Sequence, residues 1–284
     1  MQGQACVRPA AVAGSFYPAD PDELAAVVDT LLQGARLRAS KIAAAVAPVA
    51  LVVPHAGYVY SGPVAASAYD CLRERQVRRI AVLGPAHYVP LTGIAVPAAS
   101  TFATPIGAVP VDVHTCAALA ERYEWVTVDD HPHRPEHSIE VQLPFLQRIL
   151  GRGWTCVPLV VGESAPEQVA DVLDTLWVEE DILPVISTDL SHYLDQVSAG
   201  RRDRRTARAV VGADAGAIGR RDACGSFALR GLMHWARTHE LDVRLLHLAT
   251  SADAGGDPGR VVGYGAFALL PPAPSPAGRP GSDS

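Results

Sequence analysis

The feature that most constrains this chain is a pattern met three times: a short aliphatic run that stops abruptly in a polar turn carrying a histidine. Ala50 to Val53 runs into Pro54-His55-Ala56-Gly57, Arg79 to Gly84 into Pro85-Ala86-His87, and Ile182 to Ser187 into Thr188-Asp189-Leu190-Ser191-His192. Apolar runs of this length, bounded by turn residues and separated by helix-like segments, read as strands buried on both faces. Such strands belong to sheets covered by helices on either side. Their carboxyl ends share one edge, where α/β proteins build their sites.

Alone, a histidine such as His55 has two readings: a ring hydrogen-bonded within a turn, or a metal ligand or general base. Three strand-end histidines at one sheet edge favour the second. Neutral imidazoles suit iron, copper, zinc or nickel. Cys224, in Asp222-Ala223-Cys224-Gly225-Ser226, adds a thiol at the start of a predicted helix, where backbone amides and the helix dipole favour the thiolate. Asp189, Glu136 and His137 supply further acid–base groups.

The rest of the chain fits an α/β alternation. Asp20-Pro21-Asp22-Glu23 opens a helix with Leu24, Val27, Val28, Leu31 and Leu32 on its apolar face, ended at Gly34. A helix is predicted from Ser61 to Leu72 and strands at Gly93 to Val96 and Val109 to Val113, the last two around a Pro/Gly-rich loop from Ala98 to Pro110. A helix over His114 to Arg122 and a strand over Trp125 to Val128 follow. After the polar loop Asp129 to His137 comes a helix over Ser138 to Leu150, capped by Ser138. A strand over Trp154 to Val161 and helices over Pro166 to Val178, Val197 to Ala217 and Cys224 to Thr238 come next. Strands Val243 to Ala249 and Val261 to Leu270 complete the body. The expected fold is a single three-layer α/β/α domain over residues 1–270 with a mixed, largely parallel sheet. Residues 271–284, rich in Pro, Gly and Ser, read as a disordered tail.

Composition narrows the function classes. With 284 residues, 49% apolar and 19% charged, the chain can bury a large core. A net charge of −6 gives no basic surface for nucleic acid or an anionic membrane. Neither a bilayer-spanning run nor a signal sequence is evident, so a cytoplasmic protein is expected. The five cysteines are scattered without a Cys-x-x-Cys pair, which argues against a disulfide framework or zinc knuckle. Cys6, Cys71, Cys116 and Cys156 are read as structural. His131 and His133 are read as solvated loop residues, and His114, His234, His239 and His247 as surface residues of helices or strands. Tyr17, Tyr58 and Tyr88 either wall a pocket or pack.

An ordered set of motifs carries a family resemblance: Ala13-Gly14-Ser15-Phe16-Tyr17, Pro54-His55-Ala56-Gly57-Tyr58, Gly84-Pro85-Ala86-His87, Glu136-His137-Ser138-Ile139-Glu140, Ser187 to His192 and Ala223-Cys224-Gly225. Together they resemble the MEMO family, in bacteria also called AmmeMemoRadiSam system protein B. The resemblance implies a fold shared with class III extradiol ring-cleaving dioxygenases. It also implies His55, His87 and Cys224 as a metal-binding triad, with His192 at the dioxygenase base position and Asp189 and His137 in the same pocket. The dioxygenases bind Fe(II) through two histidines and a carboxylate. With Cys224 in the third position, copper joins Fe(II) as a candidate, Fe(II) first, and the reaction stays open. The family name further implies companion proteins, including a radical-SAM protein.

Three functions compete at this stage. The first is a metal-dependent, dioxygenase-like oxidoreductase with His192 moving protons and Asp189 orienting it. The second is a binding or metal-handling module for a small-molecule or peptide ligand. The third is a hydrolase using Cys224 as nucleophile with His192.

Overall fold

The structure is a computed structural model that describes residues 6–38, 47–179 and 182–272. The described residues form twelve strands: β1 (Val7–Arg8), β2 (Ala50–Val53), β3 (Arg79–Pro85), β4 (Ile94–Val96), β5 (Thr101–Thr104), β6 (Gly107–Pro110), β7 (Val126–Val128), β8 (Thr155–Val161), β9 (Leu183–Ser187), β10 (His192–Leu194), β11 (Asp242–Thr250) and β12 (Val261–Leu270). Seven α-helices lie between them: α1 (Pro21–Arg38), α2 (Tyr58–Tyr69), α3 (Val113–Arg122), α4 (Leu143–Leu150), α5 (Pro166–Asp174), α6 (Gln196–Val211) and α7 (Ser226–Thr238).

The main sheet runs β10-β12-β2-β9-β3-β8-β4-β7, with β11 also paired to β12; β1, β5 and β6 form a small separate sheet. The centre, β2-β9-β3-β8, is parallel throughout. The β4–β8 pair and the β12 pairings are antiparallel, so the largely parallel character expected of the sheet belongs to its centre. All residues of β2 and β9, and all but the first of β3 and β8, are buried. Successive side chains of a strand point to opposite faces, so this burial requires cover on both. Helices α1, α2 and α4 pack with one another, and α5 packs with α7, which also meets β3 and β9. The fold is the expected α/β domain with a mixed sheet.

Several boundaries differ from the sequence expectation. Helix α1 continues through Gly34 to Arg38. Residues 138–150 form a 3₁₀ turn, Glu140–Gln142, before α4 begins with Pro144 in its first turn, the place where a missing N–H costs nothing. The strand expected to reach Val113 stops at Pro110. Asp112 instead caps α3, its carboxylate accepting the Thr115 N–H. Helix α6 ends at Val211. The expected tail falls almost wholly on residues 273–284, outside the described residues. Among those described, no helix is long and apolar enough to cross a membrane.

Candidate metal centre

The parallel centre brings the carboxyl ends of β2, β3 and β9 to one edge, and each delivers a polar turn there. Pro54-His55 follows β2, Ala86-His87 follows β3, and Thr188-Asp189 follows β9. Cys224 arrives from the other direction, just before the Gly225 that precedes α7. His55, His87, Asp189 and Cys224 line one cavity of about 640 Å³ with His137, His192, Phe16, Tyr60 and Tyr264.

The protonation of each ring can be worked out from its partners. Ser187 Oγ donates to the Ser138 carbonyl at 2.6 Å and accepts from Gln142 Nε2 at 2.8 Å. A hydroxyl has a single proton, so the His55 Nδ1, 2.9 Å from the same oxygen, must be the donor. His55 Nε2 is therefore the nitrogen that faces the Cys224 thiol and shares a proton with it. His87 reaches the same state by another route. Its Nδ1 lies 2.9 Å from Glu136 Oε1, while Oε2 accepts the His87 backbone N–H at 2.7 Å and Oε1 the Ser138 N–H at 2.8 Å. Burial opposes ionisation of Glu136, but the bonds from His87 and Ser138 and the His87 charge win, holding the carboxyl down at about 2. A carboxylate only accepts, so His87 Nδ1 donates, and Nε2, bonded to Cys224, is the nitrogen a metal ion would take by displacing its proton. Imidazoles fixed through Nδ1–H to a carboxylate or a neutral oxygen are how proteins orient metal-binding histidines.

The thiol of Cys224 sits against these nitrogens. Its Sγ is 3.3 Å from His55 Nε2 and accepts the Asp189 backbone N–H at 3.2 Å. Burial would raise its pKa. The charge and hydrogen bond of His55 and a hydrogen bond from His87 outweigh that and bring it down to about 6. The His87 side chain is 26% exposed; burial would lower its pKa, but bonds to Cys224 and Glu136 drive it up to about 10. The helix-dipole argument made from sequence is thus secondary: the two imidazoles lower the thiol pKa.

His137 is closer to the centre than sequence reading placed it. His55, His87 and His137 each offer a ligand atom, and the three atoms lie within 4.8 Å of one another. The His137 ring stacks on His87 at 4.6 Å between centroids and 21° between planes, and Phe16 lies 4.6 Å away on it. Burial, with the nearby His55 and His87 charges, lowers its pKa to about 3, so the ring is neutral. Its Nδ1 is buried with no hydrogen-bond partner. Three imidazoles with ligand atoms so close, beside a thiol of lowered pKa, are a donor set that fits a metal ion once their shared protons are displaced.

Asp189 and His192 also line the cavity but are held separately. Asp189 Oδ1 accepts the His55 backbone N–H at 2.8 Å, and burial raises its pKa to about 6. His192 Nδ1 lies 2.8 Å from the Leu190 carbonyl, which can only accept, so its Nε2 carries the lone pair. The orienting partner of His192 is that carbonyl, and Asp189 braces the turn of His55.

A buried network behind the cavity escaped sequence reading. Glu140, fully buried, pairs with Arg8, accepts the Ala11 and Val12 N–H groups at 2.7 and 3.0 Å, and bonds the Tyr17 hydroxyl. Arg8 also donates to the carbonyls of His133 (3.0 Å) and Glu136. This pins the amino-terminal segment that carries Phe16. Gly84 is needed beside it, because a Cβ there would overlap Ser138 Oγ. The one signal in the sequence was the Glu136-His137-Ser138-Ile139-Glu140 motif itself.

Other expectations are corrected. His133 is buried, with Nε2 donating to the Ala95 carbonyl at 3.0 Å, because the loop folds back under Arg8 and Phe102; His131 and His114 are exposed as predicted. His234, His239 and His247 stand partly exposed, His239 on Asp174 at 2.6 Å. Cys71, Cys116 and Cys156 are buried as read, whereas Cys6 is exposed. Tyr17 and Tyr58 pack behind the cavity and Tyr88 stands 54% exposed beside His137.

Residues 8–268 match the family model described as Memo-like protein. The chain belongs to that family. A MEMO1 family protein of Thermotoga maritima is 34% identical over 274 residues, covering 90% of this chain and 97% of its own. Another, of Thermoplasma volcanium, is 31% identical over 266 residues, covering 91% and 96%. Among solved structures, an uncharacterized protein, JW3007, of Escherichia coli K12 matches with a TM-score of 0.50 at 15% identity, over 77% of this chain and 98% of that one. This last likeness is one of fold alone.

Proposed function

We propose that this Memo-like protein is a metal-dependent oxidoreductase that holds one ion, Fe(II) first and copper second, on His55, His87 and Cys224. One observation carries the reading: the Nδ1 protons of both histidines are engaged by Ser187 and Glu136, so Nε2 of each is the nitrogen at the Cys224 thiol, where an ion would displace the protons shared with the sulfur. Bound there, such an ion supplies coordination positions for oxygen and an electron-rich small molecule. His192 accepts a proton at Nε2 from a group entering the cavity. Asp189 holds the His55 turn, and Phe16 and Tyr264 form apolar parts of the cavity wall.

A second reading has its own support in His137. A fourth donor beside the triad would close a tetrahedral site, as in structural or metal-handling centres. The test is a metal analysis of protein prepared without oxygen, with oxygen uptake followed on a panel of catechols and related phenols. About one metal per chain is expected, lost in His55→Ala and Cys224→Ser; both variants keeping full metal content sinks the triad. Stoichiometric metal without uptake across the panel, with uptake appearing in His137→Ala, selects the closed site.

A further inference from the structure

We propose that Arg260, held over the ring of Tyr193, is the docking point for a carboxylate, and that the cavity takes a small aromatic acid whose other end faces the histidine cluster. The identity of that other end rests on the metal reading; the carboxylate subsite does not. Arg260 and Tyr193 line the same 640 Å³ cavity as His55, His87, His137 and Cys224. Arg260 is the cavity's one arginine, and among the described residues no carboxylate pairs with its guanidinium. Asp257, the acidic neighbour in its loop, is occupied in the turn: its Oδ1 accepts the Gly259 N–H at 2.8 Å and its carbonyl the Arg260 N–H at 3.1 Å.

The support under Arg260 is a built device. Strands β10 and β12 pair His192 with Val262 and Leu194 with Val261, a register shift that leaves Tyr193 as a bulged residue. Bulges near sites re-aim side chains. Tyr193 also has φ +59°, a left-handed conformation that is costly for a residue with a Cβ. Its ring is 63% exposed, so no core packing repays that conformation. The ring instead lies with its centroid 4.4 Å from the Arg260 guanidinium carbon and 5.7 Å from the His192 ring. Strain held beside a site, in a residue whose ring supports a cation, is the mark of a positioned group. The planar guanidinium fork matches a carboxylate with two parallel hydrogen bonds. Phe16, Tyr60 and Tyr264 give the cavity aromatic walls that suit a flat ring.

The probes are benzohydroxamate, whose hydroxamate head binds metal ions, and its 3- and 4-carboxy derivatives, titrated calorimetrically into metal-loaded protein. At least one carboxy probe should bind about tenfold or more tightly than benzohydroxamate, the scale of a charge-assisted pair. Arg260→Gln should erase that preference while leaving benzohydroxamate within about twofold, and Arg260→Lys should restore only part of it. Tyr193→Gly, which accepts the positive φ but has no ring, should weaken the preference without lowering stability. Equal binding of all three probes by the wild-type protein, or a preference that survives Arg260→Gln, overturns the proposal. Metal content is measured on the same samples. If no ion is held, benzoate against benzamide gives the same readout: a benzoate preference lost in Arg260→Gln supports the subsite, and equal binding refutes it.

Discussion

Replacing Glu136 with glutamine would test how the centre is aligned. The carboxylate receives three N–H groups: His87 Nδ1 and the Ser138 amide on Oε1, and the His87 amide on Oε2. Glutamine offers one oxygen and one NH2 group, so one side must face donors with a donor. With the amide oxygen at the Oε2 position, the NH2 meets His87 Nδ1 and the Ser138 N–H. The ring can then bond only by giving up its Nδ1 proton, which fixes the remaining proton on Nε2, where an ion would bind. With the oxygen at Oε1, the His87 amide loses its partner. The first outcome weakens metal binding and the second costs fold stability, about 1–3 kcal/mol for a buried donor left unmade. Loss of a partner that orients a ligating histidine costs about 10–100-fold in metal affinity. Glu136→Gln should therefore lower Fe(II) affinity in chelator competition by one to two orders of magnitude, or lower the midpoint of metal-free urea unfolding, with the overall fold retained by circular dichroism. Wild-type affinity together with wild-type stability would refute the assignment of the His87 proton.

Two further outcomes follow from the network behind the cavity. Glu140→Gln leaves Arg8, whose side chain is 3% exposed, without its charge partner, and breaking a buried pair costs about 3–5 kcal/mol. Calorimetry should show a clear fall in Tm, partly recovered when Arg8→Met is added, and unchanged stability would mean the pair is not formed. Burial lowers the His133 pKa to about 4 from an ordinary 6.5, so the unfolded chain takes up a proton before the folded one does. Stability is then intact above about pH 6.5 and falls as the pH drops towards 4, by about 3 kcal/mol from this residue alone. Urea unfolding of metal-free His133→Gln should show a flatter acid limb than wild type, and parallel curves would refute the effect.

The strand ends were legible in the sequence because each is an uninterrupted apolar run stopped by Pro or Ser next to a charged or aromatic-nitrogen group, as at Val53-Pro54-His55 and Ile186-Ser187. Periodicity could not reveal the polar loop. His133 and Glu136 sit in a loop that reads as polar and Glu140 in the first turn of a predicted helix, and Arg8, which joins all three, is distant in sequence. The same limit hid the proton assignments. Ser187 is visible as a strand end, but that it directs the His55 proton follows only once Gln142 and the Ser138 carbonyl are seen on the same oxygen. His137 was legible as a pocket residue and not as a donor at the centre, because ring stacking on His87 leaves no sequence signature.

The separations along the chain also have a consequence for biosynthesis. His55 takes its proton partner from a residue 132 positions later and its thiol neighbour from one 169 positions later. His87 waits 49 positions for Glu136. A nascent chain therefore carries its first two histidines as ordinary, rotating imidazoles through most of synthesis, and contacts so distant in sequence form slowly. On the proposed triad, selective capture of an ion would begin only after Cys224 has been made and α7 has docked. Loading would then follow translation, and supplying metal to a truncated chain should not seed the fold.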